Sequence, residues 1–176
     1  MQPSKTPIDP QILENWPKLK RFFRTKVPEP DCYDLVQETL EAYVRKSQEP
    51  GVVIEKPRAY LWGIARNKVL KYISGKRLPN EAFDSAEHSV LGRQTSLSTR
   101  FDRNDKLLTA LRSLPTDCQI AFELRYGEEL TNEEVALAMG VGTATAKRKI
   151  KRAREQLREQ LMATSVEVVE DLYRAG

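Results

Sequence analysis

The segment 130–157 constrains the fold of this chain more than any other feature, because it reads as a helix, a glycine-containing turn and a second, strongly basic helix. Thr131 can cap the first helix, and Glu134, three residues later, can return the hydrogen bond in a capping box. Gly140 supplies the left-handed residue with which many helices end, and Val141 can fill the corner between the two helices. This order predicts a helix-turn-helix, a motif that places its second helix in the major groove of DNA.

The second helix of this segment divides into an apolar stripe and a basic face. The apolar residues recur at spacings of four, three and four, which puts them on one side of a helix: Ala146, Ile150, Ala153 and Leu157. Between positions 147 and 159 there are seven cations and only two acids. A solvated surface is the plainer interpretation of such charge. Its position directly after a capped helix and a glycine turn favours contact with a polyanion instead.

Composition excludes several classes of protein. At 176 residues the chain can hold one medium domain or two small ones, and its net charge of +4 is mild. No apolar run reaches membrane-spanning length and the first residues lack a signal peptide's apolar core, so we predict a cytosolic protein without membrane insertion. Cys32 and Cys118 lack metal-type spacing and are expected to be small, buried or semi-exposed thiols in a reducing compartment. With His88 as the single histidine and no glycine-rich phosphate loop, we expect no enzyme, no metal site and no cofactor.

The chain divides into two helical parts with a polar segment between them. That segment is rich in serine and threonine and poor in large apolar residues, which is typical of a flexible linker. The run Val52-Val53-Ile54 is the single strand-like signal and is interpreted as a loop. We therefore predict an all-α fold of two small helical bundles joined by a flexible linker, the second bundle ending in the helix-turn-helix. The predicted boundaries are 8–78 for the first bundle, 79–104 for the linker, 105–161 for the second bundle and 162–176 for a C-terminal tail, which is either an acidic amphipathic helix or a frayed end.

The first bundle contains an acidic helix. Asp31 follows Pro-Glu-Pro and is predicted to cap a helix from Cys32 to about Lys46, with Asp34 in its first turn, where the helix dipole favours a carboxylate. The same helix presents an acidic and amide-bearing face made of Asp34, Gln37, Glu38 and Glu41. On charge alone, this face is an ordinary solvated surface.

A second motif of the first bundle begins at Pro57, which suits the first turn of a helix. Its core stripe is predicted to be Leu61, Ile64, Ala65 and Val69. Cations interleave with Tyr60, Trp62 and Tyr72 along the same helix, and this mixture suits single-stranded nucleic acid, because cations follow phosphates and flat rings stack on unpaired bases. The alternative, that Trp62 and Tyr72 are ordinary core residues, is equally open at this point.

Taken together, these motifs resemble those of the bacterial sigma-70 family of RNA polymerase sigma factors, particularly the small extracytoplasmic-function group. Residues 31–40 resemble the family's polymerase-binding motif, and 57–67 resemble its promoter-melting and −10-reading helix. Residues 114–119, followed by 130–157, resemble its −35-binding domain. The order of the motifs is the strongest part of the resemblance, which extends over most of the chain from about 12 to 161.

The resemblance implies a protein that docks on RNA polymerase core and lends it promoter specificity and strand opening, without covalent chemistry of its own. The implied partners are polymerase core, promoter DNA and, as a regulator, an anti-sigma factor or a kinase. The loop 47–56 would help to form a pocket for a flipped base. By position, the polymerase contacts would be Asp31, Asp34, Gln37 and Glu38; the contacts to the opened −10 element would be Arg58, Tyr60, Trp62, Arg66, Asn67 and Lys71; and the −35 contacts would be Thr145, Lys147, Arg148, Lys151 and Arg152.

The chain departs from the family pattern at Cys32 and Tyr33, which stand where the family usually has alanine and glutamate. One carboxylate is therefore missing from the implied polymerase contact. Phosphorylation of Thr39 or Ser47 is one hypothesis for restoring negative charge there. The rival function is a stand-alone helix-turn-helix regulator that binds duplex DNA without polymerase core.

Overall fold

The computed structural model describes residues 14–75 and 102–174, with side-chain surroundings for 14–75 and 106–162. Within these ranges the chain forms seven α-helices and one π-helical segment, and no β-strand, so the all-α prediction is confirmed. The chain divides into two compact units, Met1–Lys76 and Arg77–Gly176. The predicted linker 79–104 lies outside the described residues except for its last three positions, which already belong to a helix. His88 lies outside them as well.

The first unit consists of α1 (Trp16–Arg24), α2 (Glu29–Ser47) and α3 (Pro57–Gly75). α2 packs against both of the other helices. The interior is closed by large apolar side chains from all three helices, among them Leu19, Phe23, Val36, Trp62 and Val69, none of which is more than 2% exposed. Burying a side chain of this size contributes roughly 1.5–3 kcal/mol, so these contacts dominate the stability of the unit.

α2 begins earlier than predicted. Pro28, with φ −56° and ψ 146°, precedes its first turn, and Pro30 stands inside that turn, where a missing N–H group costs nothing. Asp31 therefore does not cap the helix, which corrects the prediction. Its carboxylate instead accepts a hydrogen bond from the hydroxyl of Tyr72 on α3. Asp34 lies beyond the first turn, so the predicted position of its carboxylate at the helix N-terminus is corrected as well.

The loop between α2 and α3 contains a tight turn. Gly51 has a positive φ of 78°, a conformation that glycine adopts without strain. The amide of Val52 donates to the carbonyl of Glu49 at 3.2 Å, and the Lys46 ammonium pairs with the Glu49 carboxylate at 2.6 Å. The strand-like run is a loop, as predicted, and Val53 within it is 83% exposed.

The second unit is organised around its last helix. Its elements are α4 (Asp102–Ser113), α5 (Thr116–Phe122), the π-helical segment Glu123–Gly127, α6 (Asn132–Met139) and α7 (Thr143–Arg174). α7 packs against each of the other three α-helices. Leu111 and Leu114 meet Ala153 and Leu157 of α7 in one buried cluster. Because α7 runs on to Arg174, the backbone of the predicted tail is helical as far as that residue.

Both cysteines are buried free thiols, as predicted. The Cys32 thiol donates to the carbonyl oxygens of Val27 and Pro28 at 3.4 and 3.3 Å. Burial is the main cause that raises the pKa of Cys32, and it raises the pKa of Cys118 in the same way. Both side chains therefore stay protonated and unreactive near neutral pH.

Candidate nucleic-acid interface

The turn that joins α6 to α7 has the geometry that the sequence predicts. The Thr131 amide donates to the Glu134 carboxylate at 2.8 Å, and the Glu134 amide donates to the Thr131 hydroxyl at 3.2 Å, so the capping box is complete. Gly140 ends α6 in the left-handed conformation, with φ 64° and ψ 33°. The Val141 amide then donates to the Ala136 carbonyl at 3.0 Å, which closes a Schellman motif. These bonds fix the direction in which α7 leaves the turn.

α7 presents opposite faces to the core and to solvent. Its predicted apolar stripe is confirmed: Ala146, Ile150, Ala153 and Leu157 are all buried, at 0, 7, 0 and 4% exposure. The predicted DNA-contacting residues lie outside that stripe. Thr145 is half-buried and accepts a hydrogen bond from the Arg148 guanidinium at 3.2 Å, whereas the exposed cations among the predicted contacts are Lys147, Arg148, Lys151 and Arg152.

One of the seven cations is held inside the unit. The Lys149 ammonium lies 3.4 Å from the Asp117 carboxylate of α5, and the two side chains are only 23% and 9% exposed. This pair links the first half of α7 to α5. In the Lys151–Glu155 pair the charged atoms are 3.8 Å apart and the side chains are 68% and 57% exposed. Such an exposed ion pair contributes little to stability. Lys151 therefore remains accessible to a polyanion, and Lys149 is a structural cation.

The start of α7 is also suited to an anion. Its first turn carries no acidic residue, and Gly142 and Ala144 at that turn are exposed. The amides of a helix N-terminus carry partial positive charge and bind phosphate readily. The first turns of α7 thus combine the amides of a helix N-terminus, at partly exposed residues, with the cations that follow them.

In the first unit, α3 carries three of the predicted single-strand contacts along one face. Tyr60, Asn67 and Lys71 are spaced by seven and four residues, which aligns them along the helix. Asn67 and Lys71 are exposed, and Arg58 is exposed at the first turn. The Tyr60 ring is half-buried, with its centroid 6.1 Å from that of Tyr43 on α2.

Trp62 does not belong to this exposed face. It is 2% exposed, and its ring meets the Phe22 ring of α1 edge-on with 5.2 Å between centroids. The prediction that Trp62 stacks on unpaired bases is therefore corrected, and it is a core residue. Arg66 is half-buried with its Nε atom enclosed by protein, and Tyr72 is partly buried against Asp31. These two side chains contact the protein more than solvent.

The predicted polymerase contacts on α2 lie on one surface. Asp34, Gln37 and Glu38 are all exposed. The Gln37 amide donates to the Glu41 carboxylate at 2.9 Å along the same helix, and the Glu38 carboxylate accepts a hydrogen bond from Lys68 of α3. Asp31 is less accessible because it faces α3. The structure thus brings three of the four residues together on an exposed acidic face.

The two predicted phosphorylation positions have different surroundings. Thr39 is fully buried, and its hydroxyl donates to the Leu35 carbonyl at 2.6 Å. A kinase has no access to a buried hydroxyl, so the proposal for Thr39 is corrected. Ser47 is exposed at the end of α2, where its hydroxyl donates to the Val44 carbonyl at 2.8 Å.

Sequence reasoning missed several contacts between helices. Lys68 was not predicted to contact Glu38, nor Lys149 to contact Asp117. Tyr33, for which the resemblance implied a carboxylate, accepts a hydrogen bond from Lys20 of α1 at 2.5 Å. No local spacing reveals such pairs, because their partners lie on other helices.

The described part of the chain holds no group of three or more histidine, cysteine, aspartate or glutamate residues that could bind a metal ion. No described helix is long and apolar enough to cross a membrane.

These features define a class: an all-α, two-unit protein with a DNA-binding helix-turn-helix. The family profile Sigma-70, region 4 matches residues 104–157. The chain is 28% identical over 166 residues to the RNA polymerase sigma-E factor of Streptomyces coelicolor, covering 85% of this chain and 82% of that one. It is 24% identical over 148 residues to the RNA polymerase sigma factor HrpL of Pseudomonas syringae pv. syringae, covering 81% and 80%.

A solved structure shares the fold. The sigma factor RpoE of Bartonella quintana, crystallised in complex with the anti-sigma factor NepR, aligns with a TM-score of 0.61 at 26% identity, covering 87% of this chain and 95% of that one. Residues 104–157 thus match region 4 of the sigma-70 family, and the chain is similar to RNA polymerase sigma factors over most of its length.

Proposed function

We propose that the chain binds RNA polymerase core, recognises the −35 and −10 elements of promoters and promotes strand opening. The observation that carries this function is the helix-turn-helix, whose last helix buries one stripe in the core and turns a basic face to solvent. The acidic face of α2 and the polar face of α3 support a function in transcription initiation in addition to DNA binding. A stand-alone regulator needs neither of these faces.

The two units divide this work. Residues 8–78 form the domain that binds polymerase and reads the −10 element, and residues 105–161 form the domain that reads the −35 element. The residues between them connect the two domains, and the last three, 102–104, already belong to α4. This arrangement matches the similarity to sigma factors over most of the chain.

The −35 element is contacted by the first turns of α7. The amides of the first turn and Lys147 bind phosphates, which position the helix in the groove. Arg148, Lys151 and Arg152 lie on the exposed face from which side chains reach base edges. One bidentate arginine–guanine contact discriminates against a wrong base by about 1–3 kcal/mol. Thr145 steadies the Arg148 side chain through their hydrogen bond.

The opened −10 element is contacted by α3 and the loop before it. Arg58 and Lys71 supply charge for phosphates, and Asn67 supplies a hydrogen-bonding amide. The exposed Val53 gives the loop 47–56 an apolar tip against which a flipped base can pack. Tyr60 is the aromatic ring on this face, since Trp62 lies in the core.

A protein partner regulates this activity. The Bartonella quintana sigma factor forms a complex with an anti-sigma factor, and a partner of that kind is proposed for this chain. Control by a kinase remains a second proposal, and Ser47 is the accessible position for it.

Reconstituted transcription tests the proposed function. Polymerase core is mixed with the full chain and a library of promoter fragments, and RNA starting at defined sites is sequenced. The expected result is initiation that requires both core and chain. Tight duplex binding by the chain alone, without core-dependent initiation, would establish the regulator instead.

A pair of variants then tests the −35 surface. The double variant Arg148→Ala/Lys151→Ala should abolish dependence on the −35 element and leave core binding intact. Lys106→Ala is the control, because it removes an exposed cation from α4 of the same unit. If the double variant and the control lose the same amount of −35 dependence, the assignment of this surface to the −35 element is contradicted.

A further inference from the structure

Two hydrogen-bonded side-chain pairs contribute to the contact between α2 and α3. The Lys68 ammonium of α3 donates to Oε2 of Glu38 on α2 at 2.6 Å. One helical turn later, the Tyr72 hydroxyl donates to the Asp31 carboxylate. Both acids belong to the proposed polymerase-binding set, and both donors stand on the helix proposed to read the −10 element. The two contacts therefore connect the two binding surfaces of the first unit.

Lys68 lies at the border between the core stripe and the exposed face of α3. It stands between exposed Asn67 and buried Val69, and Lys71 follows it by one turn on the same side. Its side chain is 27% exposed, and that of Glu38 is 51% exposed. A lysine ammonium is a point charge on a flexible four-carbon stem, so it can change partner without movement of the backbone. The same ammonium can reach Glu38 or a phosphate beside Lys71.

We propose that Lys68 is a further nucleic-acid-contacting residue, which Glu38 holds until polymerase core takes that carboxylate. In the free chain the Lys68 charge is neutralised by Glu38. When a cation of the core pairs with Glu38, the Lys68 ammonium turns to a phosphate of the opened strand. The polymerase half of this exchange rests on the proposed function.

Such an exchange couples the two binding events. Core binding raises the affinity for the strand, and by linkage the strand raises the affinity for core by the same factor. Because the pair is partly exposed, the factor is small: about 1.4- to 5-fold, corresponding to about 0.2–1 kcal/mol. One additional phosphate contact also steepens the salt dependence of single-strand binding by about 0.7 in logarithmic slope.

A double-mutant cycle on the free, full-length chain tests the DNA half. The probe is a fluorescein-labelled single-stranded DNA 20-mer of mixed sequence, and fluorescence anisotropy is measured at several salt concentrations. Glu38→Gln releases Lys68. Glu41→Gln is the matched control, because it removes the same charge from the same face of α2 without touching Lys68. Lys68→Gln, alone and combined with Glu38→Gln, completes the cycle.

Glu38→Gln is expected to bind the probe about 1.4- to 5-fold more tightly than Glu41→Gln, with the steeper salt slope. In the Lys68→Gln background this advantage is expected to vanish. Equal affinities for Glu38→Gln and Glu41→Gln would overturn the proposal. An advantage that persists without Lys68 would overturn it as well.

Binding to polymerase core tests the other half. Lys68→Gln leaves Glu38 unpaired with Lys68 and is expected to bind core about 1.4- to 5-fold more tightly than Lys71→Gln, which changes the net charge equally. Equal core affinities of the two variants would refute the exchange while the proposed function stands. Failure of the unmodified chain to bind core would refute the proposed function and the polymerase half, and the DNA cycle would still decide whether Lys68 contacts nucleic acid.

Discussion

Replacing Gly140 by alanine is expected to destabilise the second unit, since this residue ends α6 with a positive φ of 64°. A Cβ atom added there meets nothing within 4 Å, so the cost comes from the backbone conformation and not from a clash. The left-handed conformation costs a residue with a side chain about 1–2 kcal/mol. Alanine also restricts the unfolded chain, which returns about 0.4–1 kcal/mol. The net loss is about 1 kcal/mol, or about 4–8 °C in Tm for a unit of this size.

Gly142 gives the matched control, because a Cβ atom there also meets nothing and its φ is not positive. Gly142→Ala is expected to change the free energy of unfolding by less than about 0.5 kcal/mol. Alanine stabilises the protein by restricting the unfolded chain, but it is a poorer N-cap residue than glycine, and the two effects offset each other. Gly140→Asn should destabilise the second unit less than Gly140→Ala does, because asparagine tolerates the left-handed conformation better than alanine.

The assay can separate the two units. Both tryptophans, Trp16 and Trp62, lie in the first unit, so their fluorescence reports the unfolding of that unit alone. Far-ultraviolet circular dichroism reports the helices of both units. Gly140→Ala should lower the circular dichroism transition of the second unit and leave the fluorescence transition in place. If Gly140→Ala is as stable as Gly142→Ala, the argument from the left-handed backbone is refuted.

Three further predictions concern the two cores. Trp62→Ala should lower the unfolding free energy of the first unit, measured in urea, by about 3–5 kcal/mol. Trp62→Phe should leave the affinity for single-stranded DNA unchanged. A folded Trp62→Phe variant that binds single-stranded DNA more weakly would show that Trp62 contacts DNA. Since burial raises the pKa of Cys32 and Cys118, the unfolded chain loses these thiol protons first as pH rises. The contribution of these thiols to the free energy of unfolding should therefore be constant below about pH 8.5 and be lost above it, so the free energy should fall less steeply in the double alanine variant there. Lys149→Met should lower the stability of the second unit and leave the salt slope of duplex binding unchanged, because this cation pairs with Asp117; a slope reduced by about 0.9 would show a phosphate contact.

The parts of the structure that the sequence predicts correctly depend on local chemistry. The capping box joins Thr131 to a residue three positions away, and the left-handed end of α6 depends on Gly140 alone. The apolar stripe of α7 follows from helical spacing. In each case the physical cause acts within one or two helical turns, so a short stretch of sequence contains it. The sequence therefore predicts almost all of the helix-turn-helix.

The contacts that escaped prediction join distant parts of the chain. Thirty residues separate Glu38 from Lys68, and thirty-two separate Asp117 from Lys149. Trp62 was ambiguous for a related reason: α3 packs against α2 and also meets α1 through Phe22, so it buries neighbouring positions such as Leu61 and Trp62 together. A narrow stripe cannot be recognised when a helix is covered over a wide arc.

The two proposed DNA surfaces each carry few exposed polar side chains, and we expect their function to depend on being carried by one protein. α7 offers four exposed cations among its proposed −35 contacts, and α3 offers two exposed cations and an exposed amide. Once either surface is bound, the other meets its own DNA element at a high effective concentration, so the combined affinity exceeds either alone without any new contact. Weak binding by each surface alone also keeps the affinity for non-promoter DNA low, because the −35 and −10 elements rarely occur together there. The ion pair that occupies Lys68 in the free chain acts in the same direction, because it withholds one more cation until polymerase core has bound.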